Sequence, residues 1–521
     1  MPLAGPPVPS HLVGQSFVKC AFDKLKEYRK SVFLIDESTN KQYTYENVLQ
    51  MSTSIAVKLQ KLGIRENVVV SSLIDNNVEA ISFQLGLWFS GGTSNPVNHF
   101  QTSAEVRANI MISRPAIIFC GNQYLSMVEE SIKNIGWDIT IITKHKEPQY
   151  LSFDELLNED VSKFSVTIDD PANHIPVVLF TSGTTGVPKA VKIKDSTMIV
   201  FPTAASLDKS TRTLLTSPMF WVSNCFVITK TIFCNKTFIL PTQTDAEGLL
   251  KCIDKLKPGF WFTSSSPLLE MCLLPNLHEY DTSSIKYIFM GGSFTSTDHK
   301  HLICKKVFNN RNILLSGYGS TEVGIVSQNF KELPVNTRMY EGVGQISHGV
   351  TLKIVDLTSG KELGPGEDGE ICVKSHCFMA GYMNKDLENT ELDSEGWWHM
   401  GDIGHYDESG YLYFTSRLKE IMKFRGVQIA PAELEKILYK HPDVIEACVV
   451  GMQHDIDGEW PTAFVIKQSN SSLTEKELCK LVEENVADSK RLRGGVHFVS
   501  SLPKNAVGKV VRKELLKSCN T

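Results

Sequence analysis

Apolar residues in this chain come in short continuous runs, each followed by a stretch in which they recur every three or four positions. The first clear pair is the strand Val68-Val69-Val70-Ser71-Ser72-Leu73 and the helical pattern from Val78 to Phe89, stopped by Gly91-Gly92. The same rhythm predicts strands over Ala116 to Cys120, Ile139 to Thr143, Val177 to Phe180, Thr237 to Leu240, Ile285 to Met290 and Asn312 to Leu315, each closed by small, polar or proline residues. Strands alternating with helices give an α/β fold of layered parallel sheets. Ligands of such sheets collect at the carboxyl ends of the strands, where loops 181–189, 291–293 and 317–322 fall.

Beyond these loops the helical rhythm fades. Gly364-Pro365-Gly366-Glu367-Asp368 reads as a tight turn ahead of a strand from Glu370 to Lys374, and Gly381-Tyr382 and Gly410-Tyr411-Leu412-Tyr413 mark further strand starts or surface hairpins. A short α/β pattern restarts at Arg417-Leu418-Lys419. Pro431 opens a helix running to Leu438, Val444 to Val450 and Ala463 to Ile466 read as strands, and Thr474 to Val486 as a second helix. This divides the chain into residues 1–417 and a small domain over 418–521.

Composition narrows the function classes. A length of 521 residues exceeds one compact domain, and 42% hydrophobic with 21% charged residues is ordinary for a soluble protein. With 53 basic against 58 acidic side chains the net charge is −5, which carries no nucleic-acid footprint. Met1 to Ser10 holds Pro at four positions and lacks the basic and apolar parts of a secretory signal, and no apolar run spans a bilayer, so a soluble cytoplasmic protein is expected. The ending Ser518-Cys519-Asn520-Thr521 is not a peroxisomal address of the Ser-Lys-Leu type. Twelve cysteines without a Cys-x-x-Cys pair fit reduced, packed thiols, and Cys372, His376 and Cys377 lack the second ligand pair of a zinc motif. The sequons at Asn235 and Asn470 are silent without secretion.

The richest local chemistry is Thr181-Ser182-Gly183-Thr184-Thr185-Gly186-Val187-Pro188-Lys189. Gly183 and Gly186 let the main chain aim N–H groups at an anion, Ser182, Thr184 and Thr185 add hydroxyl donors, and Lys189 adds charge. This is a phosphate-gripping loop, but not a Walker A loop, because Pro188 precedes Lys189 and Ala190 follows it.

Taken with Gly317-Tyr318-Gly319-Ser320-Thr321-Glu322, Trp398-His399-Met400-Gly401-Asp402, Arg417-Leu418-Lys419-Glu420 and Lys504-Asn505-Ala506-Val507-Gly508-Lys509, the loop resembles the adenylate-forming superfamily, which includes acyl-CoA synthetases and insect luciferases. The motifs occur in that family's order. The resemblance implies a large N-terminal domain of layered sheets and helices with a β-rich subdomain, and a small mobile C-terminal α+β domain. It also implies ATP, Mg²⁺ and CoA as partners of a small-molecule carboxylic acid, with the oligomeric state left open.

Residue roles follow from the same resemblance. Glu322 offers the oxygen ligand that Mg²⁺ needs. Tyr318 could stack against adenine, Gly291, Gly292 and Ser293 could let the main chain approach the base closely, and Gly319 and Thr321 are further nucleotide-binding candidates. Asp402 can accept from both ribose hydroxyls, and Arg417 can donate to the same sugar. Lys509 matches the family's adenylation lysine, Lys423 the lysine of the thioester step, and Lys419 the hinge between them.

This chain also departs from its family. Where beetle luciferases and others carry a His-His-Gly-Phe type sequence, it reads Pro218-Met219-Phe220-Trp221-Val222-Ser223-Asn224. Phe220 and Trp221 would wall an apolar acyl pocket without acid–base chemistry. Met400 replaces a usual Thr and Ser416 a usual Asp. Three readings result: a ligase joining a medium- or long-chain acid to CoA, an insect luciferase that adenylates a luciferin and oxidises it with O₂, and a catalytically dead binding protein. The retained Lys189, Glu322, Asp402, Lys423 and Lys509 argue against the third.

Overall fold

Continuous apolar runs become strands covered on both faces, and the largest domain is built around them. The computed structural model describes residues 2–181, 188–200, 211–292, 295–329, 341–384, 391–468, 471–504 and 510–518. Among these residues a seven-stranded sheet runs in the order Lys189–Ile193, Val177–Thr181, Thr93–Pro96, Val69–Leu73, Ile117–Cys120, Thr140–Thr143, Leu151–Ser152. Its pairings are parallel except for the first, where Lys189–Ile193 turns back antiparallel on Val177–Thr181. The helix Val78–Phe89 is apolar all round and buried at every residue but Glu79, which is why its sequence lacks a polar face.

A second sheet has the antiparallel edge strand Gln42–Thr44 on Val32–Asp36, which leads a parallel run through Thr237–Leu240, Arg212–Leu214, Phe260–Thr263, Tyr287–Met290 and Leu314–Ser320. It then continues without a break through antiparallel strands Gly324–Gln328, Gly344–Ile346, Tyr411–Arg417, Trp398–Tyr406, Gly369–Ser375 and Val350–Val355. The β-rich stretch is therefore an extension of the sheet. Its inward residues Val350, Leu352, Ile354, Ile371, Val373, Trp398 and Leu412 belong to the main core, which excludes the surface-hairpin alternative.

The switch between the two halves occurs inside one strand. Leu314 to Ser316 pair parallel with Ile288 to Met290, whereas Gly317 to Ser320 pair antiparallel with Gly324 to Gln328. The expected strand end at Leu315 is thus corrected: Gly-Tyr-Gly-Ser is strand, with a register shift between Tyr318 and Gly319. A side chain at Gly319 would run into the carbonyl of Gly324, so the turn-like composition serves close pairing.

The smaller C-terminal domain has its own sheet, ordered Val427–Ile429, Met422–Phe424, Gly458–Lys467, Val444–His454, with Val496–Phe498 added parallel to Gly458–Lys467. Pro431–Leu438 and Glu475–Glu483 pack on it, and Phe424, Leu434, Val449, Val465 and Leu478 form a separate core. The second helix stops earlier than the sequence pattern and is opened by a reciprocal Thr474–Glu477 capping box. No helix among the described residues is long and apolar enough to cross a membrane.

Candidate active site

Thr181 and Lys189 face each other across the antiparallel pair at the mouth of the phosphate-loop hairpin. Ser182, Gly183, Thr184, Thr185 and Gly186 lie outside the described residues, so the site is built here from the loop's two ends. Lys189 Nζ is 2.8 Å from Glu391 Oε1 and 5.0 Å from the Tyr382 ring centre. Thr181 Oγ1 lies 3.5 Å from Glu322 Oε1, across 141 residues of sequence. The segment around Tyr382 is strapped onto the hairpin: Val191 bridges Tyr382, and Asn384 accepts from the Ala190 N–H and donates to the Pro188 carbonyl. Burial, then the charges of Glu322 and Glu391, push the Tyr382 phenol well above its ordinary range, so it stays a neutral donor.

Thr321 and Glu322 follow the switch strand directly, and the Met379 N–H donates to the Glu322 carbonyl. Two oxygen donors, Thr181 Oγ1 and Glu322 Oε1, fit a hard divalent cation such as Mg²⁺.

Tyr318, Asp402 and Arg417 form the second group. Asp402 and Arg417 stand opposite each other on antiparallel strands, with Arg417 Nε 3.6 Å from Asp402 Oδ1. The Tyr318 hydroxyl donates to Asp402 Oδ2 at 2.7 Å. Burial and the Asp402 charge hold this phenol well above its usual range. Asp402 is 9% exposed and Arg417 53%, so the carboxylate is enclosed while the guanidinium reaches solvent. Gly291 donates its N–H to the Thr263 carbonyl, and Gly292 takes φ +83° with open space where a side chain would stand; Ser293 lies outside the described residues.

Phe220 and Trp221 precede the helix Val222–Phe233. The Phe220 ring is buried, 6.0 Å from Trp221, 5.6 Å from His99 and 6.3 Å from Phe100. His99 packs against the candidate acyl-wall residue Phe220, a contact the sequence did not disclose. Its ring stacks on Tyr124 at 4.7 Å, its Nε2 lies 3.2 Å from Asp75, and Asp75 also accepts from the Tyr124 hydroxyl and Gln123. Burial lowers the His99 pKa against the opposing pull of Asp75.

The remaining candidates belong to the small domain and its junction with the large one. Lys423 is exposed on the strand Met422–Phe424, where its N–H donates to Glu459. Lys419 sits on the single turn Leu418–Glu420, and Glu420 is 3.2 Å from Arg512 Nε. Lys509 lies outside the described residues; before it, Lys504 pairs with Glu446 at 3.1 Å.

The profile of the family described as AMP-binding enzyme matches residues 22–383, and that of the AMP-binding enzyme C-terminal domain matches residues 433–509. The chain belongs to the AMP-binding enzyme family. Within this family it is 30% identical to 4-coumarate-CoA ligase 3 of Arabidopsis thaliana, over 98% of this chain and 91% of that protein. It is also 30% identical to the peroxisomal OPC-8:0-CoA ligase 1 of the same plant, over 99% and 94%. Among solved structures it superposes on ATP-bound MatB from Rhodopseudomonas palustris with a TM-score of 0.87 at 22% identity, covering 96% of this chain and 98% of that one. The luciferase-like enzyme of the nonluminescent mealworm Zophobas morio gives a TM-score of 0.74 at 26% identity, over 81% of this chain and 100% of that one.

Proposed function

We propose that this enzyme activates a carboxylic acid as its acyl-adenylate, at the expense of ATP, and then transfers the acyl group to CoA. The observation that carries the reading is the meeting of Thr181, Lys189 and Glu322 at one hairpin mouth, although Glu322 is 141 residues from Thr181. A carboxylate attacking the α-phosphate brings like charges together, and a site for that step needs cations and aimed donors.

In this reading, the loop between Thr181 and Lys189 grips the phosphates, and Lys189 exchanges Glu391 for a phosphate oxygen when nucleotide binds. Glu322, with Thr181 beside it, would hold Mg²⁺, which supplies neutralisation of phosphate charge. Asp402 accepts from the ribose hydroxyls while Tyr318 orients it, Arg417 donates to the sugar, and the backbone at Gly291 and Gly292 gives the base its room. Lys509 would steady the developing charge in adenylation and Lys423 the thioester step, with a rotation at Lys419 of residues 418–521 against residues 1–417.

The acid placed first is a medium- or long-chain one, because Phe220 and Trp221 are rings offering an apolar wall. 4-Coumarate belongs in the test because a relative carries it in its name. AMP release should be measured over fatty and aromatic acids, with and without CoA, beside a photon counter. CoA-dependent release with one acid class, in the dark, is the expected result. Light with a luciferin and O₂ replaces the ligase reading by the luciferase one, and no turnover with any acid sinks both.

A further inference from the structure

We propose that Glu370, Cys372 and His399 form a binding site for a borderline transition-metal ion, Zn²⁺ first among them, on the sheet face turned away from the main core. The register creates it. Cys372 and His399 are directly opposite on the antiparallel strands Gly369–Ser375 and Trp398–Tyr406, and Glu370 is two residues from Cys372, on the same face. The intervening Ile371 and the following Val373 point the other way, into the core.

The three side chains offer one carboxylate oxygen, one sulfur and one imidazole nitrogen, all within 4.8 Å of one another. His399 Nδ1 is 2.8 Å from Glu370 Oε2 and 3.5 Å from Cys372 Sγ. Tetrahedral Zn²⁺, with bonds of about 2.0–2.3 Å, spaces its donors about 3.3–3.7 Å apart. The sulfur–nitrogen edge already has that length, and the oxygen–nitrogen edge must open by roughly half an ångström. A mixed S, N, O set selects Zn²⁺ and its neighbours over Mg²⁺. His399 is 36% exposed, so water can reach the fourth position.

The far edge of the imidazole is prepared as well. Asp393 Oδ2 lies 3.6 Å from His399 Nε2, and Asp393 is itself held by the N–H groups of Glu395 and Trp397. A carboxylate there can accept the imidazole proton from Nε2 once a metal ion takes Nδ1, which without the ion faces Glu370 Oε2. A competing cation is Lys353, opposite Cys372 on the next strand. Its Nζ is drawn off to Glu395 at 3.6 Å and lies 4.5 Å from the Trp397 ring centre. Cys372 would bind as its thiolate, so binding releases the thiol proton and moves the imidazole proton from Nδ1, where it faces Glu370, to Nε2. The Cys372, His376 and Cys377 grouping suggested by sequence is not this site, since Cys377 packs in the main core.

The test is titration of the full, chelator-treated chain with Co²⁺, followed by competition with Zn²⁺. One equivalent should give a thiolate-to-cobalt charge-transfer band with tetrahedral d–d absorption, and Zn²⁺ should abolish both. Cys372→Ser should remove the band. Asp393→Asn should weaken Zn²⁺ binding about 10- to 100-fold. Glu370→Gln, on a partly exposed side chain, should cost at least about tenfold and keeps the proposal open to refutation if the Cys372 variant misfolds. Absence of a charge-transfer band at one equivalent, its persistence in Cys372→Ser, or unchanged affinity in Glu370→Gln would each overturn the site.

Discussion

Tyr318 shows how one side chain links the nucleotide motifs. Its hydroxyl donates to Asp402 at 2.7 Å, and its raised pKa keeps that proton in place at any working pH. A hydrogen bond to a charged group is worth about 1.5–3 kcal/mol, so Tyr318→Phe leaves an enclosed carboxylate short of one donor. The expected result is a KM for ATP raised at least several-fold, with a smaller change in kcat, measured by pyrophosphate release across ATP concentrations. An unchanged KM would remove Tyr318 as the residue that orients Asp402. Met400 and Ser416 are milder cases: both sit on the strands bearing Asp402 and Arg417, with Ser416 buried. The candidate site was drawn from motifs, because phosphate and ribose chemistry demands particular residue types close together, and the structure adds that Thr181, Lys189 and Glu322 meet and that Tyr318, Asp402 and Arg417 do. The contacts of Tyr382 and Glu391 with Lys189, and of His99 with Phe220, were not legible, because pairing and packing across the fold bring them together.

At the scale of elements, strands buried on both faces, such as Val69–Leu73 and Ile117–Cys120, were read from their continuous apolar runs, and the partly exposed strands Gly369–Ser375 and Val444–His454 were found as well. The strand Leu314–Ser320 was cut short in the sequence reading because glycine usually signals a turn, whereas here it permits two backbones to meet. That difference can be tested. In Gly319→Ala the added methyl meets the Gly324 carbonyl, which is backbone and cannot rotate away. Forced shifts of this kind cost about 1–3 kcal/mol. A lower Tm is expected, with nucleotide affinity falling because Tyr318 and Glu322 flank the disturbed register; an unchanged Tm would mean that the strand can reopen there at no cost.

At the scale of the whole molecule, one contact between the large and small domains is made by a buried histidine whose charge state matters. His299, on the helix Thr297–Val307, places Nε2 3.2 Å from the Ile445 carbonyl and its ring 4.2 Å from that of Tyr439, both in the C-terminal domain. Burial lowers its pKa below 6.5, Lys504 pushes the same way, and the Ile445 carbonyl and Asp298 oppose them. The docked imidazole is therefore neutral. For a base whose pKa is depressed by docking, the stabilisation is complete above the free value of 6.5 and is lost as pH falls below it. A rotation of the small domain would have to break this contact, so acid should favour the released arrangement. Other histidines titrate too, and the informative quantity is a difference between proteins. The Tm advantage of the natural chain over His299→Gln should shrink as pH is lowered from about 7.5 to about 5.5, and protease cleavage near Leu418–Glu420 should rise in the natural chain over the same range. A Tm difference independent of pH would show that His299 docks by packing alone, with its proton playing no part in holding the domains together.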